Sequence, residues 1–203
     1  MFAFVSRVTT LQEFKKFTLF LDISSAKSSS QILSSPAKIA FLDRDGVLNV
    51  DHSYVYLPDQ FEWMPQAQEA IKWLSDQDYK VVIATNQSGV GRGLYSEADV
   101  VSLGEWMQGQ LLTIGAKIDA IYFCPHHPDD AVGMYKIDCD CRKPKPGMLL
   151  RGLQEFRAQP GDCFFLGDKK TDMEAAEAAG ITGVLYVGGS VLDAVRRVAR
   201  THR

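Results

Sequence analysis

Four short stretches of the sequence carry residue types that handle phosphate and hard cations. Asp43-Arg44-Asp45-Gly46 holds two carboxylates with one residue between them. Thr85-Asn86-Gln87-Ser88-Gly89 offers hydroxyls, amides and a glycine that bares its backbone. Arg142-Lys143-Pro144-Lys145 gathers cations, and Gly167-Asp168-Lys169-Lys170-Thr171-Asp172 adds further carboxylates. Carboxylates brought together form a hard oxygen site suited to Mg²⁺. A hydroxyl, exposed amides and a lysine are the donors a phosphoryl group requires. Singly, each stretch has a plainer use: Asp-x-Asp-Gly as a turn, Gly-Asp before a helix as an N-cap, Lys143 as solvated surface. All four in this order describe a site.

A fifth stretch carries soft ligands: Cys124-Pro125-His126-His127, then Cys139-Asp140-Cys141. Clustered thiols beside histidines suggest metal in a reducing compartment rather than a disulfide framework. Four N/S ligands with no spare position describe a closed, tetrahedral, structural zinc site. The spacing leaves either His126 or His127 as the nitrogen ligand. A loop of about 20 residues without secondary structure has little core of its own, and a metal can replace one. Cys163 lies in the apolar run Cys163-Phe164-Phe165-Leu166 and reads as a buried strand residue.

The elements that must hold these groups alternate. Lys38 to Asp43 is a short apolar run ending in acid, a buried-strand signature. Helical spacing over Ala67 to Trp73 precedes a strand from Lys80 to Thr85. Ser96, with Asp99 three residues on, caps a helix reaching about Thr113. A strand over Ile118 to Phe123, the irregular loop and a helix from Pro146 to Phe156 follow. Then come a strand over Asp162 to Gly167, a helix over Thr171 to Ala179, a strand over Gly183 to Val187 and a helix after Ser190. The expected fold class is α/β, a doubly wound parallel sheet covered on both faces. In such sheets ligands bind beyond the carboxyl ends of the strands, where three of the four stretches fall and the fourth lies in the preceding loop.

The formal charge of −3 leaves no basic field for nucleic acid or an anionic membrane. Apolar runs fall far short of the roughly 20 residues of a membrane span. A monomeric, cytoplasmic enzyme with a small-molecule substrate is expected. Residues 1–37 read as an N-terminal extension, with a possible short helix over Phe14 to Ile23 and a Ser-rich linker from 24 to 35. No secretory signature is visible there. Residues 38–203 form the catalytic domain in this reading. Trp63, Trp73 and Trp106 read as packing residues, and Arg196, Arg197 and Arg200 as a solvated helix face.

Asp43-x-Asp45, Thr85, Lys143 and Asp168-x-x-x-Asp172 resemble the four motifs of the haloacid dehalogenase (HAD) superfamily phosphatases, over about residues 38–190. Within that span four segments are similar to the D-glycero-D-manno-heptose 1,7-bisphosphate 7-phosphatases. They are Phe41 to Asn49, Asp51 to Val55, Thr85 to Gly93 and Cys141 to Gly147. Those are bacterial enzymes of lipopolysaccharide core or S-layer sugar synthesis. The departures are the N-terminal extension and Val47, where Thr is usual. The resemblance implies a HAD-like Rossmannoid fold with a minimal cap and a zinc-stapled loop. It assigns Asp43 as nucleophile, Asp45 as general acid and base, and Thr85 and Lys143 as ligands of the phosphoryl oxygens. It implies Mg²⁺ held by Asp43, the backbone carbonyl of Asp45 and Asp168, with Asp172 orienting Lys143 or a metal-bound water. It implies zinc held by Cys124, His126, Cys139 and Cys141, preferring His126 over His127. Substrate contacts are expected from Asp51, His52, Ser53, Tyr54, Asn86, Gln87, Ser88, Arg142 and Lys169. The implied substrate is a sugar bisphosphate that loses its 7-phosphate. Histidinol-phosphate phosphatase is the alternative, with similar chemistry and a similar loop. A catalytically silent, zinc-stapled binding module would be expected to lack Asp43 or Asp45, and both are present.

Overall fold

The structure, a computed structural model, describes residues 36–201. The expected Phe14 to Ile23 helix and the Ser-rich linker lie outside the described residues. Lys38–Leu42 (β1) is apolar residue after residue because both of its faces are covered. Ala40 and Leu42 enter one core layer, and Ile39 and Phe41 enter the other. The same two-residue alternation runs through Tyr79–Asn86 (β2), Ala120–Cys124 (β3) and Cys163–Gly167 (β4). With Thr182–Leu185 (β5) at one edge, all pairings are parallel and the order is β3-β2-β1-β4-β5.

Helices cover both faces. Ala67–Asp76 (α1), Glu97–Leu112 (α3) and Val191–Thr201 (α6) bury apolar stripes in the first layer. Gly147–Phe156 (α4) and Lys170–Ala178 (α5) do so in the second. A short helical turn, Ser88–Gly91 (α2), follows β2 and was not expected from the pattern. Trp63, Trp73 and Trp106 pack against the first layer, as expected of packing residues.

Capping at α3 follows the predicted pattern. Ser96 Oγ accepts from Asp99 N at 3.2 Å, and Ser96 N donates to Asp99 Oδ2 at 2.7 Å. Ser96 Oγ also donates to Asp99 Oδ2 at 2.7 Å, and the two bonds donated by Ser96 hold the Asp99 carboxyl below its ordinary range. Ser96→Ala is expected to cost about 1 kcal/mol, read as a lower urea midpoint with turnover unchanged.

Two strand boundaries differ from the periodicity by two residues, the other strand boundaries by one at most. The third strand starts at Ala120, not Ile118, because Asp119 turns inward and its Oδ2 accepts from Val81 N at 3.0 Å. The last strand ends at Leu185, after which Tyr186 N donates once more, to Gly167 O at 2.7 Å. Gly188 and Gly189 then take positive φ and turn the chain.

The winding reverses between β1 and β4, so the crevice at their carboxyl ends is the switch point. Asp43 N donates to Leu166 O at 3.0 Å and carries that ladder one residue into the crevice. The β1–α1 connection holds only a 3₁₀ turn at Pro58–Gln60 and isolated bridges at Asn49, so no inserted cap domain stands over the site.

Candidate active site

Asp43 leaves β1 into the crevice with 4 % of its surface exposed. Its Oδ1 accepts from Arg44 N at 2.8 Å and faces Lys143 Nζ at 2.9 Å. Lys143 Nζ also lies 2.7 Å from Asp172 Oδ1, so one ammonium bridges carboxylates from β1 and α5. Asp172 is wholly buried, and its Oδ2 accepts from Lys169 N at 2.9 Å. It faces Lys143, the partner named in one of the two uses expected of it. Asp168 follows β4 directly, and one oxygen of each of Asp43, Asp168 and Asp172 falls within 4.8 Å of the others. Gly46, at φ +87°, lets the backbone pass against Asp168; a Cβ there would sit 2.3 Å from Asp168 Oδ2.

Lys169 Nζ also approaches Asp168 Oδ2, at 4.0 Å, from the exposed side, but three acids still outnumber the two ammoniums. Burial pushes the Asp43 carboxyl up to about 6, opposed by Lys143 and reinforced by Asp172 and Asp45. Burial also raises Asp168, whose Oδ1 is buried with no hydrogen-bond partner among the described residues. An orphaned carboxylate oxygen in an acid-rich, all-oxygen pocket fits a hard divalent cation such as Mg²⁺.

Thr85 ends β2 with its hydroxyl buried, and its Oγ1 accepts from Gln87 Nε2 at 2.9 Å. Asn86 clamps the backbone of Lys143: Nδ2 donates to Lys143 O, and Oδ1 accepts from Lys143 N, both at 3.1 Å. Asn86 and Gln87 were expected to meet substrate; in this structure the Asn86 amide holds Lys143, and the Gln87 amide bonds Asp45, Thr85 and Tyr95. Asp45 carries the densest set of donors. Arg44 reaches it with Nη2 at 2.9 Å to both oxygens and Nε at 3.2 Å, and Asn49 Nδ2 lies 3.0 Å from Oδ1. Tyr95 donates its hydroxyl to Gln87 Oε1 at 2.7 Å, and Arg44, Asn49 and Tyr95 are not among the site residues expected from the sequence. Arg44 stands inside the Asp-x-Asp stretch and could have been noticed; nothing in the pattern marks Tyr95.

Of the remaining expected substrate residues, Asp51 and Lys169 are the two that pair with each other. Asp51, His52, Ser53 and Tyr54 are exposed, and Ser53 and Tyr54 both adopt positive φ. Asp51 Oδ1 accepts from Ser53 N at 3.0 Å, and Asp51 Oδ2 pairs with Lys169 Nζ at 3.3 Å across the crevice. His52 pairs outward with Glu62 at 3.1 Å. Ser88 is half-buried at the start of α2. Arg142 is half-buried too, and its Nη1 donates to His126 O at 3.2 Å.

The soft ligands converge as a second cluster, with ligand atoms of Cys124, His126, Cys139 and Cys141 all within 4.8 Å of one another. Sulfur pairs lie 3.2 to 3.5 Å apart, and His126 Nδ1 is 3.3 Å from Cys141 Sγ and 3.7 Å from Cys124 Sγ. A tetrahedron with Zn–S of 2.3 Å has edges of roughly 3.8 Å, so the four atoms nearly describe one. Hydrogen bonding to Cys124 and burial push the Cys141 thiol far above its usual range, so several thiolates together call for a cation. Burial holds His126 below its usual value, in the neutral form a ligand needs. His127 turns away, its Nδ1 accepting from Asp129 N and Asp130 N. Of the two histidines, His126 is the one whose ring nitrogen lies in the cluster.

Comparisons with known proteins agree with this geometry. Residues 140–201 match the HAD-hydrolase-like family. The chain is 47% identical over 150 residues to a D-glycero-β-D-manno-heptose-1,7-bisphosphate 7-phosphatase of Pasteurella multocida, covering 74% of this chain and 81% of that one. It is 45% identical over 179 residues to the protein of that name from Vibrio cholerae, covering 82% and 95%. Among solved structures it is similar to a D,D-heptose 1,7-bisphosphate phosphatase from B. bronchiseptica, complexed with magnesium and phosphate. That similarity has a TM-score of 0.68 at 36% identity and covers 79% of this chain and 86% of that one.

Proposed function

Because the chain belongs to the D-glycero-β-D-manno-heptose-1,7-bisphosphate 7-phosphatase family of HAD-type hydrolases, we propose that it removes the 7-phosphate of that sugar bisphosphate and leaves the 1-phosphate. The convergence of Asp43, Lys143, Asp168 and Asp172 in one buried pocket at the switch point carries the proposal. Its product would feed lipopolysaccharide precursor synthesis in the cytoplasm. All the residues invoked lie on one chain, so a monomer suffices.

The Asp43 carboxylate attacks phosphorus, and the bond from phosphorus to the sugar oxygen breaks. The electron pair stays on that oxygen, which takes a proton from Asp45. In the second half, water attacks the aspartyl-phosphate, gives a proton back to Asp45, and the phosphorus–Asp43 bond breaks. Asp45 therefore serves as acid and then as base. Lys143 Nζ and Thr85 Oγ1 hold the phosphoryl oxygens while charge redistributes. Asp43, Asp168 and the backbone carbonyl of Asp45 would hold Mg²⁺, which when bound offsets the repulsion between carboxylate and phosphate. Cys124, His126, Cys139 and Cys141 would hold structural zinc and thereby seat Arg142 and Lys143, which follow Cys141 directly.

A bisphosphate has a second dianion to be bound away from the reacting one. Arg142 and Lys169 are the cations proposed to bind it, with Asp51 to Tyr54 and Ser88 proposed to meet sugar hydroxyls. Phosphate release should be measured on purified protein with the heptose bisphosphate, histidinol phosphate and p-nitrophenyl phosphate. The heptose bisphosphate is expected to show the highest kcat/KM. A higher value for histidinol phosphate would overturn the substrate and leave the superfamily assignment standing. Arg142→Ala is expected to raise KM for the bisphosphate about tenfold or more, with little change for p-nitrophenyl phosphate. Equal changes for both would remove Arg142 from recognition.

A further inference from the structure

We propose that Gln87 and Tyr95 are positioning residues for Asp45, together fixing the carboxylate oxygen through which it exchanges a proton with the sugar oxygen. The proposal rests on the acid–base role given to Asp45 above.

The two oxygens of Asp45 are held differently. Oδ1 faces Arg44 Nε and Nη2 and Asn49 Nδ2, at 3.2, 2.9 and 3.0 Å. Oδ2 shares Arg44 Nη2 at 2.9 Å and takes one further donor, Gln87 Nε2, also at 2.9 Å. The same nitrogen donates to Thr85 Oγ1 at 2.9 Å, so Gln87 ties the Oδ2 edge of Asp45 to the hydroxyl that faces phosphate. Oδ2 is therefore the oxygen on the reacting side, and a single amide sets its distance from Thr85.

That amide works only in one orientation. Flipped, it would point Oε1 at two oxygens, Asp45 Oδ2 and Thr85 Oγ1. Gln87 is 2 % exposed, so water has little access to repair a flipped amide. Tyr95 prevents the flip by donating its hydroxyl proton to Gln87 Oε1 at 2.7 Å. Burial pushes the Tyr95 hydroxyl up to about 12, so it remains a donor across the working range of pH. The ring is itself locked. It stacks on Tyr56 at 4.9 Å and 13°, and packs with Val90, Val100 and Phe123. Gly89 makes room for it: a Cβ there would lie 2.2 Å from the Tyr95 ring. Gln87 has neither amide end free for a sugar hydroxyl, which separates this role from the substrate contact expected of it.

The leaving group distinguishes positioning of an acid from general structural support. kcat/KM reports the steps up to departure of the leaving group. An alkyl phosphate must be protonated as its bond breaks, whereas p-nitrophenolate leaves without help. Tyr95→Phe keeps the ring and removes the donor, and Gln87→Met keeps length and removes the amide. Tyr95→Phe is expected to lower kcat/KM for the heptose bisphosphate by about tenfold, and Gln87→Met by about 10²-fold, a part of what general acid catalysis contributes. Tyr95→Phe should leave kcat/KM for p-nitrophenyl phosphate within about twofold of the parent, whereas Gln87→Met, which also releases Thr85 Oγ1, should lose clearly less on p-nitrophenyl phosphate than on the heptose bisphosphate. Equal losses on the two substrates, or no loss on either, would overturn the proposal. Asp45→Asn is the reference. If it shows no leaving-group preference, the acid role of Asp45 fails; if it does and neither Tyr95→Phe nor Gln87→Met follows it, only the positioning pair fails.

Discussion

Asp43→Asn is expected to lower turnover by at least about 10³-fold while the fold persists, because it keeps the size of the side chain and removes the attacking anion. Stability should not fall with it. The Asp43 carboxyl is pushed up to about 6 by burial, from an unfolded value of 3.8, so its ionised form is disfavoured in the native state. The sign follows by linkage. A carboxyl whose folded pKa is raised binds its proton more tightly when folded, so it costs stability above about 6, and that cost disappears below 3.8. In magnesium-free buffer at pH 7.5 the Asn variant should therefore melt at or above the parent. The gap should close as pH falls between those two values. Thermal melts of both proteins across that range, beside phosphate release, make the check. Turnover within tenfold of the parent, with normal circular dichroism, would reject the covalent mechanism; a variant melting well below the parent at pH 7.5 would reject the electrostatic account of the pocket.

Cys139→Ser carries the second large effect, and it acts at a distance from the chemistry. Cys139 is only half-buried, so a serine there disturbs little packing and reads out the loss of a thiolate. The protein as purified is expected to carry about one tightly held zinc per chain, while Mg²⁺ exchanges freely, because thiolates hold zinc and oxygens hold Mg²⁺ weakly. Structural zinc contributes roughly 10–16 kcal/mol to the folding of small sites, so a missing ligand should open the loop between β3 and α4. Lys143 lies near the end of that loop, and its ion pairs at 2.9 and 2.7 Å need the loop in place. Asp43, Thr85 and Asp168 sit on strand ends and should stay where they are. Zinc loss by elemental analysis, faster amide exchange over residues 125–146 and roughly 10²-fold lower turnover are expected together. Active parent protein without zinc would remove the structural metal from the account. Loss of zinc with full activity would separate the loop from Lys143.

Most of the architecture was legible in the sequence. Apolar runs of strand length alternating with helical spacing announce a parallel sheet buried on both faces, since no other arrangement covers such strands. Asp43, Thr85, Asp168, Asp172 and Lys143 could be named because strand ends and the loops beside them are where this topology exposes side chains to a ligand. The cluster of Cys124, His126, Cys139 and Cys141 could be foreseen because thiols and imidazoles at short spacing have few other uses. Boundaries were less legible: Asp119 replaces a strand residue by folding its own carboxylate onto Val81, and periodicity carries no mark of that.

Side-chain direction is a matter of three dimensions, and there the one-dimensional pattern is silent. His126 and His127 are chemically alike, and only the path of the loop turns one toward Cys124 and the other toward Asp130. Asn86 and Gln87 look like substrate ligands beside a catalytic threonine. In the fold one braces the Lys143 backbone and the other bridges Asp45 and Thr85, because β2 brings them beneath groups 57 and 42 residues away. Tyr95 belongs to the site only because its ring fills the space that Gly89 leaves empty. Residue types are set by the chemistry a site requires and so can be read in order along the chain. Which partner each group faces depends on packing among segments distant in sequence, and that appears only once they are assembled.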